Sequence, residues 1–305
     1  MPRCRVLLAA ALLAGCSVRK LALNFVGDAL AQAGTTFTSD DDIELVGEAL
    51  PFGLKLYESL LAETPRHEGL LLATASGFTQ YAHGFLVERS FALEPTDVAR
   101  ARELRLRAAN LARRGRGYAL RGLELRHPGI AGRLARDAEA ALRATGMRDI
   151  DFLYWAGASF GAALSADKSD FSLVAEVPVG GALMRRVLEL DDGYGEGAAH
   201  EFMVSFEAAR MGGGRGGVRA HYERALALSG GRRASVYLSL AESVLIDEQD
   251  LDGFRRQIDL ALAVDADAFP ALRLRNLIAQ RRARLLRERI GDLFLEADLP
   301  REDDT

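Results

Sequence analysis

The chain has 305 residues, a formal net charge of −4 and a pI of about 5.8. Hydrophobic residues make up 49% of it and charged residues 27%, a globular composition that excludes wholesale disorder. The acidic balance gives no global electrostatic argument for a nucleic-acid partner. Ala, Leu, Arg and Glu dominate and prolines are few, so the composition favours helices.

The N-terminus has the features of a bacterial lipoprotein signal peptide, predicted to cover residues 1–15. Two arginines, Arg3 and Arg5, precede an apolar run at 6–13 that is too short to span a bilayer. The run leads into Leu-Ala-Gly before a cysteine, which resembles a lipobox, and Cys16 is therefore the predicted lipidation site. An ordinary signal peptide with an incidental cysteine is the alternative. The serine that follows the cysteine favours the outer membrane over the inner one, by analogy with enteric lipoproteins.

We expect one folded domain between two short terminal segments. Residues 16–39 would form the lipidated N-terminus, a tether and a first amphipathic helix at 18–33. Residues 40–295 would form a single all-α domain, and residues 296–305 an acidic tail. No later apolar run is long enough to cross a membrane.

Apolar residues at helical spacing predict about ten or eleven helices in this domain. The predicted helices cover residues 43–61, 67–93, 95–126, 130–144, 149–167, 171–190, 194–209, 218–228, 234–246, 251–264 and 269–295. Pro51 should kink the first of them, and Pro178 should divide the sixth into two shorter helices.

A weak internal repeat links several of these helices. Each copy starts with a large residue, which is Tyr57, Met184, Tyr222 or Ile258. A pair of small or aliphatic residues and then a helix end follow this residue at the same distances in all four copies. The last three copies follow one another at roughly 37 residues, close to the period of about 34 in tetratricopeptide repeats (TPR). The repeat predicts a TPR-like solenoid of helical hairpins, with a non-repetitive helical bundle as the alternative.

One motif suggests catalysis. The stretch Gly157-Ala-Ser-Phe-Gly161 has the G-x-S-x-G spacing of the α/β-hydrolase nucleophile elbow, with Ser159 as the nucleophile. Asp191 and His200 follow in the required order, but the flanks are helical and no oxyanion loop precedes the motif. We therefore predict no catalytic residue and interpret the glycines as positions where two helices approach closely. A serine hydrolase at Ser159 is kept as a further alternative.

The other polar features have simpler structural explanations. The glycine-rich run at 212–217 lacks the Gly-Lys-Ser/Thr end of a P-loop, so we expect it to join two antiparallel helices. The five histidines and two cysteines show no metal-ligand spacing, so neither a metal site nor a cofactor is predicted. Arginines crowd residues 100–116 and 281–289, where a solvated face is the simpler interpretation and an acidic protein partner the alternative.

Aromatic residues cluster within residues 78–85 and again within 152–160. Core packing is the simpler explanation for these aromatic residues. The more specific explanation is that some of them line an apolar channel or groove. With one aromatic residue from a later helix, the candidate ligand or pore residues are Phe78, Tyr81, Phe85, Tyr154, Trp155 and Phe202.

Several short stretches together resemble the TatT family, the TPR-like T-component lipoproteins associated with TRAP transporters. These stretches are residues 48–54, 69–73, 77–81, 153–155, 200–202, 228–231, 241–243 and 276–283. The resemblance covers nearly the whole mature chain. It implies an all-helical periplasmic lipoprotein with a pore through the fold and a trimeric assembly.

The same resemblance implies a partner and a cargo. The partner would be a periplasmic solute-binding protein of a TRAP system, and the cargo a small apolar molecule. We therefore expect a non-catalytic, lipid-anchored accessory of solute uptake on the periplasmic face of a membrane. A general TPR-like envelope scaffold for protein–protein interactions is the alternative.

Overall fold

The computed structural model describes residues 27–29, 34–210 and 215–295, whose secondary structure is helical and contains no strand. This confirms the all-α class. The predicted signal peptide, Cys16, most of the predicted first helix, part of the glycine run and the acidic tail lie outside the described residues. Within the described ranges, no helix is both long enough and apolar enough to cross a membrane.

Sixteen α-helical segments occur in the described part of the chain, more than the ten or eleven predicted. They are α1 (Gly34–Thr38), α2 (Ile43–Glu63), α3 (Glu68–Tyr81), α4 (Glu88–Leu93), α5 (Val98–Arg126), α6 (Ile130–Arg136), α7 (Ala138–Leu142), α8 (Ile150–Ala166), α9 (Phe171–Ala175), α10 (Val177–Leu190), α11 (Tyr194–Ala209), α12 (Arg215–Ser229), α13 (Ala234–Leu240), α14 (Leu251–Ala263), α15 (Arg273–Glu288) and α16 (Ile290–Leu293). Two π-helical turns, Ala82–Val87 and Ala241–Leu245, continue α3 and α13.

Aspartate caps account for some of the additional helix ends. Asp137 accepts a hydrogen bond from the amide of Ala140 and so begins α7, which divides the predicted helix at 130–144. Asp170 caps α9, and Pro178 lies in the first turn of α10, where proline is well tolerated. Pro51 lies inside α2, which continues on both sides of it.

The longer helices pack mainly against their neighbours in the chain. Contacts run in order through α2, α3, α5, α8, α10, α11, α12, α13, α14 and α15. Helix α15 also contacts α1 and α2, so the last long helix meets the first and the succession closes on itself. The TPR-like solenoid remains a prediction, since these contacts establish which helices are neighbours and not a repeated superhelical geometry.

Aromatic rings pack directly on helix glycines at several of these crossings. A Cβ atom placed on Gly122 of α5 would lie 2.2 Å from the ring of Phe152, and one on Gly161 of α8 would lie 2.4 Å from the ring of Phe202. The ring of Phe160 lies equally close to the position that a Cβ atom on Gly180 of α10 would occupy. The absence of a side chain at these glycines therefore lets rings from neighbouring helices contact the backbone.

Candidate functional site

Charged side chains make much of the contact between α15 and the helices at the start of the chain. Nη1 of Arg281 donates to Oε1 of Glu44 at 2.6 Å, and Arg289 lies 3.5 Å from Glu94. These partners belong to α2 and to the end of α4, far away in sequence. Four of the five arginines in 281–289 thus have acidic partners on other parts of the chain, and Arg284 is the exception among the described contacts.

The most enclosed of these contacts surrounds Arg282. Its Nη2 and Nε atoms lie 2.6 Å and 3.2 Å from one oxygen of Glu242, and its Nη1 lies 4.0 Å from Glu88. The guanidinium carbon is 3.3 Å from the ring centroid of Phe91, a cation–π arrangement. We call Arg282, Glu242, Glu88 and Phe91 the Arg282 cluster. It joins α15 to α4 and to the π-helical turn after α13.

Burial raises the pKa of Glu88 in this cluster to about 7, although Arg282 opposes the shift. Oε2 of Glu88 is buried and has no hydrogen-bond partner, and the same is true of Nη1 of Arg282. An ionised carboxylate in such a place is poorly compensated. The carboxyl group of Glu88 therefore takes up a proton near neutral pH.

We expect Glu88→Gln to stabilise the protein increasingly as the pH rises. The folded-state pKa of Glu88 lies above that of the unfolded chain, so this group lowers stability as pH rises from about 4.5 to about 7. Glutamine cannot ionise, and the variant should gain about 3 kcal/mol over wild type at pH 8. Urea unfolding of both proteins between pH 4.5 and pH 8 measures this. A difference that does not change with pH would contradict the assignment.

A second group of polar side chains comes from helices spread along the chain and converges inside the fold. Nη2 of Arg275 on α15 donates to Oε1 of Gln80 on α3 at 3.3 Å. The hydroxyl of Tyr194 on α11 donates to Asp151 on α8 at 2.7 Å, and its ring lies 4.9 Å from that of Tyr154. Residues almost two hundred positions apart in sequence therefore face one another.

These side chains are accessible to water yet surrounded by protein. His83 and Arg275 are exposed and Tyr154 is half-buried. Desolvation by burial nevertheless lowers the pKa of His83 and raises the pKa of Tyr154. From open surface combined with desolvation by the surrounding protein, we infer a concave site here. We call it the inner recess, lined by Gln80, His83, Tyr154, Tyr194, Glu201, Arg233 and Arg275.

Most of the charge in the inner recess is already paired. Nη2 of Arg233 lies 2.5 Å from Oε2 of Glu201, and Arg233 also donates to the carbonyl of Gly195 at 2.8 Å. Desolvation lowers the pKa of His83 and so favours the neutral form of its ring. The recess thus combines tyrosine rings and hydroxyls with a few placed charges, the chemistry expected of a small-molecule site.

The predicted ligand or pore residues fall into two groups in the structure. Phe78, Tyr81 and Phe85 are buried together in one apolar core cluster. They therefore have little surface left for a ligand in this conformation. Tyr154 and Trp155 are half-buried and in edge-on contact, with ring centroids 5.2 Å apart.

Phe202 also belongs to the packed part of the fold. It stacks on Phe206 with ring centroids 5.8 Å apart and lies against Gly161. Of the six predicted residues, Tyr154 lines the inner recess and Trp155 contacts it, while the other four are engaged in helix packing.

Ser159 lies in the middle of helix α8 and is fully buried. Its hydroxyl lies 2.6 Å from that of Thr79 on α3, so the pair forms a hydrogen bond between two packed helices. The strand–turn–helix context of a nucleophile elbow is absent from the described residues. The serine therefore contributes to packing between α8 and α3 in this structure.

A histidine pair that the sequence analysis did not foresee joins α11 to α12. Nδ1 of His200 lies 2.8 Å from Nδ1 of His221, and Nε2 of His200 lies 3.0 Å from Asp192. With Nε2–H donating to the aspartate, a neutral His200 accepts from Nδ1–H of His221. The described residues contain no group of three or more His, Cys, Asp or Glu side chains placed to hold a metal ion.

A protein family and a bacterial protein both match most of this chain. The profile of the family described as TRAP transporter T-component matches residues 39–294. An uncharacterized protein of Treponema pallidum (strain Nichols) is 30% identical over 306 aligned residues, which cover 93% of this chain and 95% of that protein. The family match includes every helix from α2 to α16.

Proposed function

Since this chain belongs to the family of TRAP transporter T-components, we propose that it is a non-catalytic accessory of TRAP-type solute uptake. In this role it docks a periplasmic solute-binding protein and holds a small ligand, which it passes through the fold. The observation that carries the proposal is the family match across residues 39–294. A component of a transporter works in contact with the other components.

The inner recess supports the ligand-holding part of this proposal. Five different helices or helix ends contribute to it, and its aromatic and polar lining suits a small molecule. A ligand-holding role needs no activated nucleophile, and the buried hydroxyl of Ser159 fits that requirement. A path through the fold would begin at this recess, next to Tyr154 and Trp155.

An apolar stripe on the outer face of α2 supports the docking part. Leu45, Phe52 and Leu56 follow one another at helical spacing and are 57%, 76% and 37% exposed. Exposed apolar side chains in a row on one helix are typical of protein–protein contact sites. We propose that the solute-binding protein covers this stripe.

We expect the full-length protein to co-purify with the solute-binding protein of the TRAP system from the same bacterium, and Phe52→Asp to abolish this. A charge placed at the centre of an apolar contact leaves an unpaired group in the interface. Leu260→Asp is the matched control, because Leu260 is 46% exposed on α14, away from the stripe. Affinity capture with both purified proteins measures the effect.

Each outcome of this experiment decides between the alternatives. Capture that Leu260→Asp preserves and Phe52→Asp removes supports the proposal. Failure of the wild-type protein to bind any TRAP solute-binding protein would overturn it. Specific binding of envelope proteins unrelated to transport would instead favour the general scaffold, which the same exposed stripe could serve.

We further propose that an acylated Cys16 tethers the protein to the periplasmic face of a membrane, the outer membrane being favoured. The lipobox-like sequence before Cys16 supports this. A Cys16→Ala variant should move from the membrane fraction to the soluble fraction, because two or more acyl chains are what hold such a protein stably. Retention of the variant in the membrane fraction would contradict the lipid tether.

A further inference from the structure

Arg275 differs from the other arginines that face the fold interior. Arg233 is paired with Glu201, and Arg282 with Glu242. Arg275 makes one hydrogen bond, to the neutral amide oxygen of Gln80, and no carboxylate among the described residues lies within 4.0 Å of it. It is exposed, although it projects towards groups on α3, α8 and α11. The inner recess therefore contains a cation without an acidic partner.

Two tyrosines lie close enough to Arg275 to experience its charge. Burial raises the pKa of both Tyr154 and Tyr194, and Arg275 opposes the shift at each of them. The rings of these tyrosines pack against each other, and Trp155 extends the aromatic surface beyond Tyr154. One side of the recess is thus aromatic and the other carries the guanidinium of Arg275.

The acidic groups nearby are already engaged. Asp151 accepts the hydroxyl of Tyr194, and Glu201 accepts from Arg233. Gln80 can satisfy one of the five N–H donors of the guanidinium, so the remaining donors are open to a bound group. A planar guanidinium with open donors is well suited to bind a carboxylate or sulfonate with two parallel hydrogen bonds.

We propose that the inner recess binds a molecule with an acidic group on an aromatic or apolar body, and that Arg275 anchors the acidic group. The body of the ligand would lie against Tyr154 and Trp155. This inference rests on the proposed ligand-holding function and specifies the chemical class of the ligand. It differs from a purely apolar cargo, because an apolar molecule would leave the guanidinium without a partner.

Two fluorescent dyes of related shape separate the charge from the apolar contact. 1-Anilinonaphthalene-8-sulfonate is anionic, whereas N-phenyl-1-naphthylamine has the same aromatic body without the sulfonate. Each dye is titrated into the full-length wild-type protein and into Arg275→Gln. Arg284→Gln is the matched control, because Arg284 lies on the same helix, is exposed and has no salt-bridge partner in the described part of the chain.

We expect Arg275→Gln to weaken the anionic dye about tenfold or more while leaving the neutral dye unchanged, as loss of a charge-assisted hydrogen bond would. Arg284→Gln should change neither dye. Tyr154→Leu should weaken both dyes, because it removes part of the aromatic surface that they share. Circular dichroism of every variant checks that the helical fold is retained.

The outcomes also distinguish this inference from the function on which it rests. One outcome is that both dyes bind the wild-type protein while Arg275→Gln changes their affinities equally or not at all. In that case Arg275 does not anchor an acidic group, but the proposal that the recess holds a ligand is retained. If neither dye binds the wild-type protein, the ligand-holding proposal fails as well. Selective loss of the anionic dye supports both.

Discussion

Replacement of Arg282 by alanine is expected to lower the free energy of unfolding by about 3 to 5 kcal/mol. Arg282 is 16% exposed and is paired with Glu242, and its Nη1 lies 4.0 Å from Glu88 on another helical segment. Its guanidinium also covers the ring of Phe91. Removal of the cation would leave Glu242 without its partner inside the contact that joins the last long helix to α4.

Arg284→Ala on the same helix is the control for this prediction. Arg284 is exposed, so its loss should change stability by no more than about 0.5 kcal/mol. Glu242→Gln added to Arg282→Ala should recover part of the loss, because it removes the carboxylate left unpaired. Urea unfolding of the three variants measures these differences. Equal stability of Arg282→Ala and Arg284→Ala would show that the Arg282 cluster does not stabilise the contact between α15 and α4.

Gly122→Leu is expected to destabilise the protein by about 3 kcal/mol or more through overpacking. Three ring carbons of Phe152 lie within 2.4 Å of the position that a Cβ atom on Gly122 would occupy. Phe152 is itself only 4% exposed and belongs to a buried core cluster that includes residues of α5 and α8. The added side chain would have to separate these two helices.

Gly117→Leu provides a matched control with the opposite sign. Gly117 lies on the same helix and is exposed, and a Cβ atom added to it would meet no neighbouring atom within 4 Å among the described residues. Leucine favours a helix over glycine by roughly 0.5 to 1 kcal/mol, so this variant should be slightly more stable than wild type. Thermal unfolding of both variants gives the comparison. A tolerated leucine at position 122 would mean that Phe152 does not rest on the helix backbone there.

Local sequence signals were sufficient to predict most of the helices. Asp42 caps α2 as an aspartate before an apolar helical pattern should, and Pro178 lies at the start of α10. Asp137 was missed as a cap because the apolar pattern continues across it. Whether a segment is helical, and approximately where that helix lies, depends on residues that are close together in the chain. These residues can be read directly from the sequence.

The contacts that build the candidate site were not predictable in the same way. His200 and His221 are brought together by the packing of α11 on α12, and no sequence spacing marks the pair. The pairing of Arg275 with Gln80 requires the chain to close on itself. One usable signal was the spacing of seven between Arg275 and Arg282, which places both on one face of α15.

The aromatic residues show where sequence reasoning stops. The pattern that selected Tyr154 and Trp155 also selected Phe78 and Phe85, because an aromatic residue at helical spacing fits a core and a channel equally well. Burial separates them: Phe78 and Phe85 lie in the core, and Tyr154 borders the inner recess. The face of a helix that points into the fold is determined by the helices that pack against it, and these are not evident from the sequence of that helix alone.

Native mass spectrometry of the full-length protein, extracted with detergent from its own membrane, is the decisive test of the proposed function. In that function, a closed succession of helices holds a small molecule and presents it to a solute-binding protein. We expect complexes of three copies that retain a small-molecule mass and associate with the TRAP solute-binding protein when it is added. Protein that carries no bound small molecule and does not bind the TRAP solute-binding protein would contradict the proposal.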